Sequence, residues 1–381
     1  MAQFVHPASP ADVTPQWLSR ALREAGRLAS GEVTACHAEI IGEGRGFTGV
    51  IARLSLAYER ASGAPPASLI AKFPLADRPV DSSYRRAQPA AASKSRQMVE
   101  RAAQEIAFYQ TAGQHLPQLP RCYFGHADVD AREAVLLLED LSAGVPGDAL
   151  AGCSVHQAHS VLAAIRDVHA RWWRDVASSR LPWLTDWSAT SNRRVMRYRE
   201  QVEPVIAAYG DRFPSTVVDL MRALVEPYER ILAGLAAVPE TLIHADLHLD
   251  NVMFVPGAGG FEAKLIDWQS PSRGAAMLDV AGFMAESLTI DDRRAHELEL
   301  LREYHGGLLA VGVRDYSFEQ LFGDYRRALC VRMVGQVGWL ARVIEDEPKG
   351  RERELLEALL DPGTVFVAVR DHDAIGRDPL T

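Results

Sequence analysis

Three side chains between residues 241 and 269 have the types and spacing of a reaction centre: Asp246, Asn251 and Asp267, in the run TLIHADLHLDNVMFVPGAGGFEAKLIDWQ. Two carboxylates and an amide offer hard oxygen ligands to a cation such as Mg²⁺, and one acid is left to accept a proton beside it. The local pattern predicts how they meet. Residues 251–255 are apolar and strand-like, Pro256-Gly257-Ala258-Gly259-Gly260 is a turn cluster, and residues 261–266 alternate as a strand does, which together signal a β-hairpin. In an antiparallel pair the first residue of one strand lies beside the last of the other, so Asn251 and Asp267 are expected to meet at the open end. Asp246 then sits in the loop that leads in.

A second set of chemical residues lies nearer the N-terminus. Residues 44–49 read GRGFTG, a glycine pattern that a dinucleotide fold would follow with a helix. Residues 50–58 alternate and carry β-branched side chains, which predicts a strand instead. A strand, glycine turn and strand resembles the flap over ATP phosphates in kinases, where Gly44, Gly46 and Gly49 would let backbone amides approach phosphate oxygens. A hairpin turn that merely needs glycines is the plainer alternative. On the next strand Lys72 interrupts the apolar run Leu69-Ile70-Ala71-Lys72-Phe73. It is either an edge charge pointing to water or a buried cation with a partner. Glu105, on a helix predicted over 94–112, is the natural partner, with Glu100 a second candidate.

These residues must be held by a sizeable scaffold. The chain has 381 residues, 48% of them hydrophobic, enough for two lobes. A helix is predicted over 14–25 with Thr14 as N-cap and Pro15 at its first position. Strands follow over 35–41, 50–58 and 68–74, then a loop over 77–93, the helix with Glu105, and strands over 121–126 and 134–138. Beyond them the pattern is helical over 155–173, 193–208, 215–235, 278–311 and 318–344, interrupted only by the hairpin. The lobe boundary is expected at 141–147, dividing the chain into 1–141 and 142–381; the tail after Pro362 shows no pattern.

Charge and cysteine usage exclude several classes. With 41 basic against 50 acidic residues the formal net charge is −9, which argues against nucleic acid or an anionic membrane as partner. Cys36, Cys122, Cys153 and Cys330 are scattered, without a disulfide framework or a zinc pattern. No apolar run approaches the roughly 18 residues of a membrane span, and the first residues lack a signal-peptide pattern. A soluble cytoplasmic protein is expected, of undetermined oligomeric state.

Taken in order, the glycine turn, Lys72, Glu105, Leu138-Glu139-Asp140-Leu141, His244-Ala245-Asp246 with Asn251, and Ile266-Asp267-Trp268-Gln269 resemble the aminoglycoside and choline kinase-like phosphotransferases, and among them the ecdysteroid kinase-like branch. The resemblance implies an α+β, bilobal protein-kinase-like fold, with a small β-rich N-lobe and a larger helical C-lobe. It implies ATP and Mg²⁺ as cofactors and a small hydroxylated acceptor. Asp246 would be the catalytic acid that takes the hydroxyl proton, Asn251 and Asp267 the metal ligands, and Lys72 with Glu105 the phosphate-positioning pair. Glu139 and Leu141 would flank adenine at the hinge. His244 would brace the catalytic loop and Asp279 order it. Ala245 stands where many relatives have glycine, tolerable if its backbone angles are ordinary. Trp268-Gln269 replaces the Phe-Gly of protein kinases, and residues 270–278 are too short for a regulated activation segment.

Two other readings stay open. His244, Asp246, His248 and Asp250 alternate, a spacing that suits the ligands of a binuclear metallohydrolase, and a kinase-like fold can bind ATP without turnover. The remaining singled-out residues have plain readings beside functional ones. His169 reads as a core histidine. Trp172, Trp173, Trp183 and Trp187 read as core or as lining of a partly apolar acceptor pocket. Glu286, Asp291 and Asp292 read as a solvated helix end, or as an attraction for a cationic acceptor.

Overall fold

Thr14 begins the first helix as its side chain requires: its hydroxyl accepts from the Trp17 N–H at 3.2 Å, with Pro15 just inside. The structure, a computed structural model, describes residues 6–41, 49–74, 91–176, 180–345, 348–360 and 364–374. The described residues divide into two compact units, one drawn from Met1–Ala143 and Asp267–Ser270, the other from Gly144–Ile266 and Pro271–Thr381.

The first unit carries α1 (Pro15–Glu24), β1 (Leu28–Ile41), β2 (Gly49–Gly63), β3 (Ser68–Pro74), α2 (Ala91–Gln110), β4 (Cys122–Asp128) and β5 (Glu133–Glu139). The five strands form one sheet in the order β1-β2-β3-β5-β4, antiparallel throughout. Strand alternation divides β3 between two faces. Leu69, Ala71 and Phe73 enter a core with Trp17, Leu18 and Leu22 of α1, so Lys72 points to the opposite face, toward α2. β1 begins earlier than expected because three register irregularities break its alternation, and bulges hide a strand from a period-two pattern. The extra end of β2 is exposed and polar.

The second unit contains β6 (Val145–Pro146), α3 (Val155–Arg171), β7 (Thr185–Asp186), α4 (Ser191–Tyr209), α5 (Ser215–Ala223), α6 (Tyr228–Ala236) and β8 (Glu240–Ile243). It continues through β9 (Val252–Gly257), β10 (Gly260–Leu265), β11 (Ser272–Ala275), α7 (Met277–Ser287), α8 (Ile290–Ala310), α9 (Phe318–Glu345), α10 (Arg351–Leu360) and α11 (Thr364–Asp371). The fold class is α+β as expected, a sheet-rich N-terminal region followed by a mostly helical one. Two expected helices are each divided. The first breaks ahead of Pro227, which caps α6, because proline lacks the N–H a helix interior needs. The second breaks where Leu288 is extended and Thr289 caps α8 by accepting from the Asp292 N–H. The short strands β6, β7, β8 and β11 are below the length at which alternation can be read.

The tail that looked patternless contains α11, whose Val365 to Val369 are all buried. A helix buried on every side shows no amphipathic period. It docks through charge as well as apolar packing: Asp371 accepts from Arg293 Nη2 at 2.6 Å and from Arg294 Nε and Nη2 at 2.9 and 3.0 Å. Arg293 is 1% exposed and also reaches Glu297 at 3.1 Å. Burial opposes the Asp371 charge, but Arg294 and Arg293 outweigh it and hold the carboxyl down from 3.8 to about 2. A depressed folded pKa contributes stability that is present above the unfolded value and lost as pH falls through the folded one, here about 4 to 2. We expect Asp371→Asn to cost about 2–3 kcal/mol at pH 7 and less than about 0.5 kcal/mol at pH 2, read from urea titrations of both proteins at the two pH values; an equal cost at both would remove the ionic account.

Candidate active site

Within the first unit, Lys72, Glu105 and Asp267 form one ionic cluster. The Lys72 ammonium donates to Glu105 Oε1 at 2.7 Å and to Asp267 Oδ1 at 2.7 Å. β3 aims Lys72 at α2, and Glu105, 5% exposed, meets it there. Burial works against the lysine charge, but Asp267 and Glu105 together hold its pKa above the ordinary range. Burial raises the Glu105 carboxyl, Lys72 opposes that rise, and Asp267 adds to it. Two carboxylates against one ammonium leave the cluster with an excess negative charge, which suits a divalent cation. Glu100, the second candidate partner, instead receives Arg96 Nε at 3.1 Å on the helix surface.

Asp267 is placed by its neighbour. The Trp268 ring is fully buried and stacks on Phe108 of α2, with centroids 4.2 Å apart and planes 9° from parallel. Phe108 follows Glu105 by three positions, so both project from one helix face. Asp267 itself has φ +63°, a left-handed conformation that a non-glycine residue adopts at some cost. Gln269 Nε2 donates to its other carboxylate oxygen at 2.9 Å. The hairpin register differs by one from the expectation: Leu265 pairs with Val252, and the Ile266 N–H donates to the Asn251 carbonyl at 2.9 Å. Ile266, not Asp267, is the residue opposite Asn251.

Within the second unit, the loop after β8 is organised by Asp279 of α7. Its carboxylate is 2% exposed and accepts from the His244 N–H at 2.6 Å and the Ala245 N–H at 2.8 Å. His169 lies 3.2 Å from the same carboxylate through Nε2, with Nδ1 2.7 Å from the Tyr304 hydroxyl. The plain reading of His169 as a core histidine is thus half the account, because it also orients Asp279. His244 Nε2 donates to the Ile266 carbonyl at 2.9 Å. Ala245 has φ +64°, so its backbone angles are not ordinary. The two bonds to Asp279 hold a methyl-bearing residue where glycine would be unstrained. Asp246 follows with its side chain 43% exposed. Asn251 donates Nδ2 to the Asp246 carbonyl at 2.9 Å and to His248 Nε2 at 3.1 Å, which commits its nitrogen end and leaves Oδ1 as the end able to meet a cation.

The other predicted residues fall as follows. Gly44 and Gly46 lie outside the described residues. Gly49 opens β2, where a Cβ would run into the Phe73 carbonyl oxygen. Glu139 ends β5 with its N–H donated to the Arg121 carbonyl at 2.8 Å, and Leu141 lies in irregular chain beyond it. Between them Asp140 accepts from Ser68 at 2.7 Å and Arg53 at 3.2 Å, tying the end of β5 to β2 and β3. The alternating His and Asp residues do not converge: among the described residues no group of three or more His, Cys, Asp or Glu is placed to hold a metal. His244 is committed to Ile266, and Asp250 accepts from Arg351 at 2.7 Å and from the Ala149 N–H at 2.9 Å. The Phe108–Trp268 stack and the Arg351 contact had no sequence signal, since each joins residues a hundred or more positions apart.

The fold is shared with solved phosphotransferases. Choline kinase from Cryptosporidium parvum matches with TM-score 0.54 and 11% identity, over 89% of this chain and 91% of that one. A choline/ethanolamine kinase family protein from Mesorhizobium loti matches with TM-score 0.51 and 14% identity, over 90% and 91%. The GDP complex of an aminoglycoside 2′-phosphotransferase-IIIa mutant matches with TM-score 0.52 and 11% identity, over 94% and 98%. Identities this low establish the fold: this chain has the kinase-like fold of those enzymes, as its motifs predicted. Residues 188–354 match a family model described as DUF1679, uncharacterized oxidoreductase dhs-27. No curated protein matches. The described residues give the word oxidoreductase no dinucleotide site, because Gly49 leads into a strand of an antiparallel sheet where that site needs a helix on a parallel one.

Asp279 and Ala245 make opposite predictions. Asp279→Ala strands two backbone N–H groups and should cost about 2–5 kcal/mol. Ala245→Gly removes the left-handed strain and should gain up to about 1 kcal/mol. Urea denaturation of both variants checks the pair, and a destabilising Ala245→Gly would refute the strain.

Proposed function

We propose that this chain is an ATP- and Mg²⁺-dependent phosphotransferase that phosphorylates a hydroxyl group of a small organic molecule. The observation that carries the proposal is the Lys72 ammonium held 2.7 Å from both Glu105 and Asp267, a fixed point charge of the kind that positions nucleotide phosphates. The donor set fits the cofactor. Asp267 and the Oδ1 end of Asn251 would hold Mg²⁺, and the cluster's excess negative charge would balance it. Lys72 and the Gly44, Gly46 and Gly49 turn would bind phosphate oxygens, and the chain at Glu139 to Leu141 would meet the base. Because the Glu139 N–H is already donated, Leu141 is the better backbone donor.

Bound magnesium nucleotide would supply the transferable phosphoryl group and neutralise charge on its oxygens. The chain's residues do the rest. Asp246, exposed on a loop that Asp279 fixes from behind, accepts the hydroxyl proton of the acceptor at its carboxylate. Asn251 keeps that loop closed through the Asp246 carbonyl, and Lys72 keeps its charge because two carboxylates flank it. Among the described residues no helix is long and apolar enough to cross a membrane, and the four cysteines are unpaired; we place the enzyme in the cytoplasm.

The test is radiolabelled phosphate transfer from ATP across a panel of small alcohols. Asp246→Asn should slow transfer by roughly 10²- to 10⁴-fold, and equal rates would end its role as base. Lys72→Met should abolish thermal stabilisation by MgATP; a wild type that MgATP does not stabilise would contradict the nucleotide site itself.

A further inference from the structure

Beside Ala245 the second unit contains a cavity of about 320 Å³, lined by Trp187, by Arg194 and Arg197 of α4, and by Arg332, Gly335 and Gly338 of α9, among others. That volume lies at the lower end of the roughly 300–1,000 Å³ range of small-molecule sites. Its charge runs against the rest of the chain. The protein carries a formal net charge of −9, yet no carboxylate lines the cavity among the described residues, and three guanidinium groups do.

The three arginines are not equivalent. Arg332 is neutralised by Glu286, which accepts from its Nε and Nη2 at 2.5 Å each. Glu286 is therefore a committed partner and not the solvated acid expected at a helix end. Arg194 lies with its guanidinium carbon 3.7 Å from the centroid of the Trp187 ring, and its Nη1 is buried without a hydrogen-bond partner. A buried guanidinium N–H without an acceptor is costly and rare in folded proteins. Burial depresses the Arg194 pKa, the response of a cation lacking a nearby anion. Arg197, on the same helix one turn on, has no ion pair among the described residues. The α9 wall leaves room beside the arginines: Gly335 is exposed where it lines the cavity, and a Cβ there would meet nothing within 4 Å.

We infer that this cavity is the acceptor site and that it takes a hydroxylated carboxylic acid, with the carboxylate on Arg194 and Arg197, the apolar skeleton against Trp187, and the hydroxyl directed toward Asp246. A single planar carboxylate suits the unpartnered Nη1 that Arg194 offers, whereas a phosphate dianion calls for several converging donors. A cationic amino alcohol would meet the guanidinium groups of Arg194 and Arg197 with no carboxylate in the cavity lining to offset them. The assignment rests on the phosphotransferase reading, but binding can be measured apart from it.

Three matched probes separate the charges: mandelate, its neutral amide mandelamide, and the cationic amino alcohol phenylglycinol. Calorimetric titration into the full chain without nucleotide should show mandelate bound at least about tenfold more tightly than the other two. Arg194→Gln should abolish that preference while leaving mandelamide binding nearly unchanged. Gly335→Leu, which narrows the cavity without replacing an arginine, should weaken mandelate and mandelamide alike at a melting temperature no lower than that of the wild type. Tighter binding of phenylglycinol, binding indifferent to charge, or no binding of mandelate at millimolar concentration would each overturn the site. Charge-selective binding that persists while no alcohol on the panel is phosphorylated would uphold the anion site and defeat the phosphotransferase reading instead.

Discussion

A lysine ammonium taken largely out of water is tolerable only if its partners are already in place, and in this chain they come from three distant segments. Lys72 is on a strand, Glu105 on the helix that packs over it, and Asp267 on a four-residue stretch almost two hundred positions later. Removing Lys72 would leave two carboxylates facing each other without a cation, a loss that typically costs several kcal/mol. The arrangement therefore makes demands on its surroundings. The strand must turn Lys72 away from the core with Leu69 and Phe73, the helix must set Glu105 and Phe108 on one face, and Trp268 must lie flat on Phe108 so that the strained Asp267 is held in reach.

The loop bearing Asp246 depends on a different economy. It has no strong secondary structure of its own, so its shape is imposed by one buried carboxylate. Asp279 collects two successive backbone N–H groups, and His169 with Tyr304 orients Asp279 in turn. That chain of bonds explains how Ala245 can keep a left-handed backbone that alanine disfavours. It also shows why a histidine in the core matters to a loop it does not belong to. In both clusters, residues outside the chemistry fix the ones proposed to perform it, which is the general requirement for charge-stabilising sites.

The cavity beside Ala245 sharpens the question of acceptor. Aromatic residues at helical spacing suggest a partly apolar pocket, but of the four tryptophans considered, Trp187 is the one that lines this cavity. Trp172 is buried against Arg171 and Arg180, and Trp173 packs on Tyr316. Two of the three acids at the helix end are engaged locally: Glu286 by Arg332, Asp292 by the cap at Thr289. What charge remains in the cavity is positive, and it comes from α4, a helix the motifs had left without a role.

Much of this protein is legible in its sequence because local rules determine it. Thr14-Pro15 caps a helix, alternation defines β3 and the β9–β10 hairpin, and the spacing of Lys72, Glu105, Asp246, Asn251 and Asp267 points to a kinase-like fold, which the structure has. Where local rules are silent or cancel, the sequence is too: bulges erased the period of β1, full burial erased that of α11, and two-residue strands have none. Pairings across long separations were decided only in three dimensions. Nothing near Asp267 in the chain says that Trp268 will stack on Phe108, or that Asp267 will turn to Lys72 with a positive φ. Nothing near Arg194 says that its guanidinium will be buried without a carboxylate. Residue type and spacing determine which chemical groups are available. Which group is left charged, strained or unpaired depends on what packing brings against it, and that is a property of the tertiary structure alone.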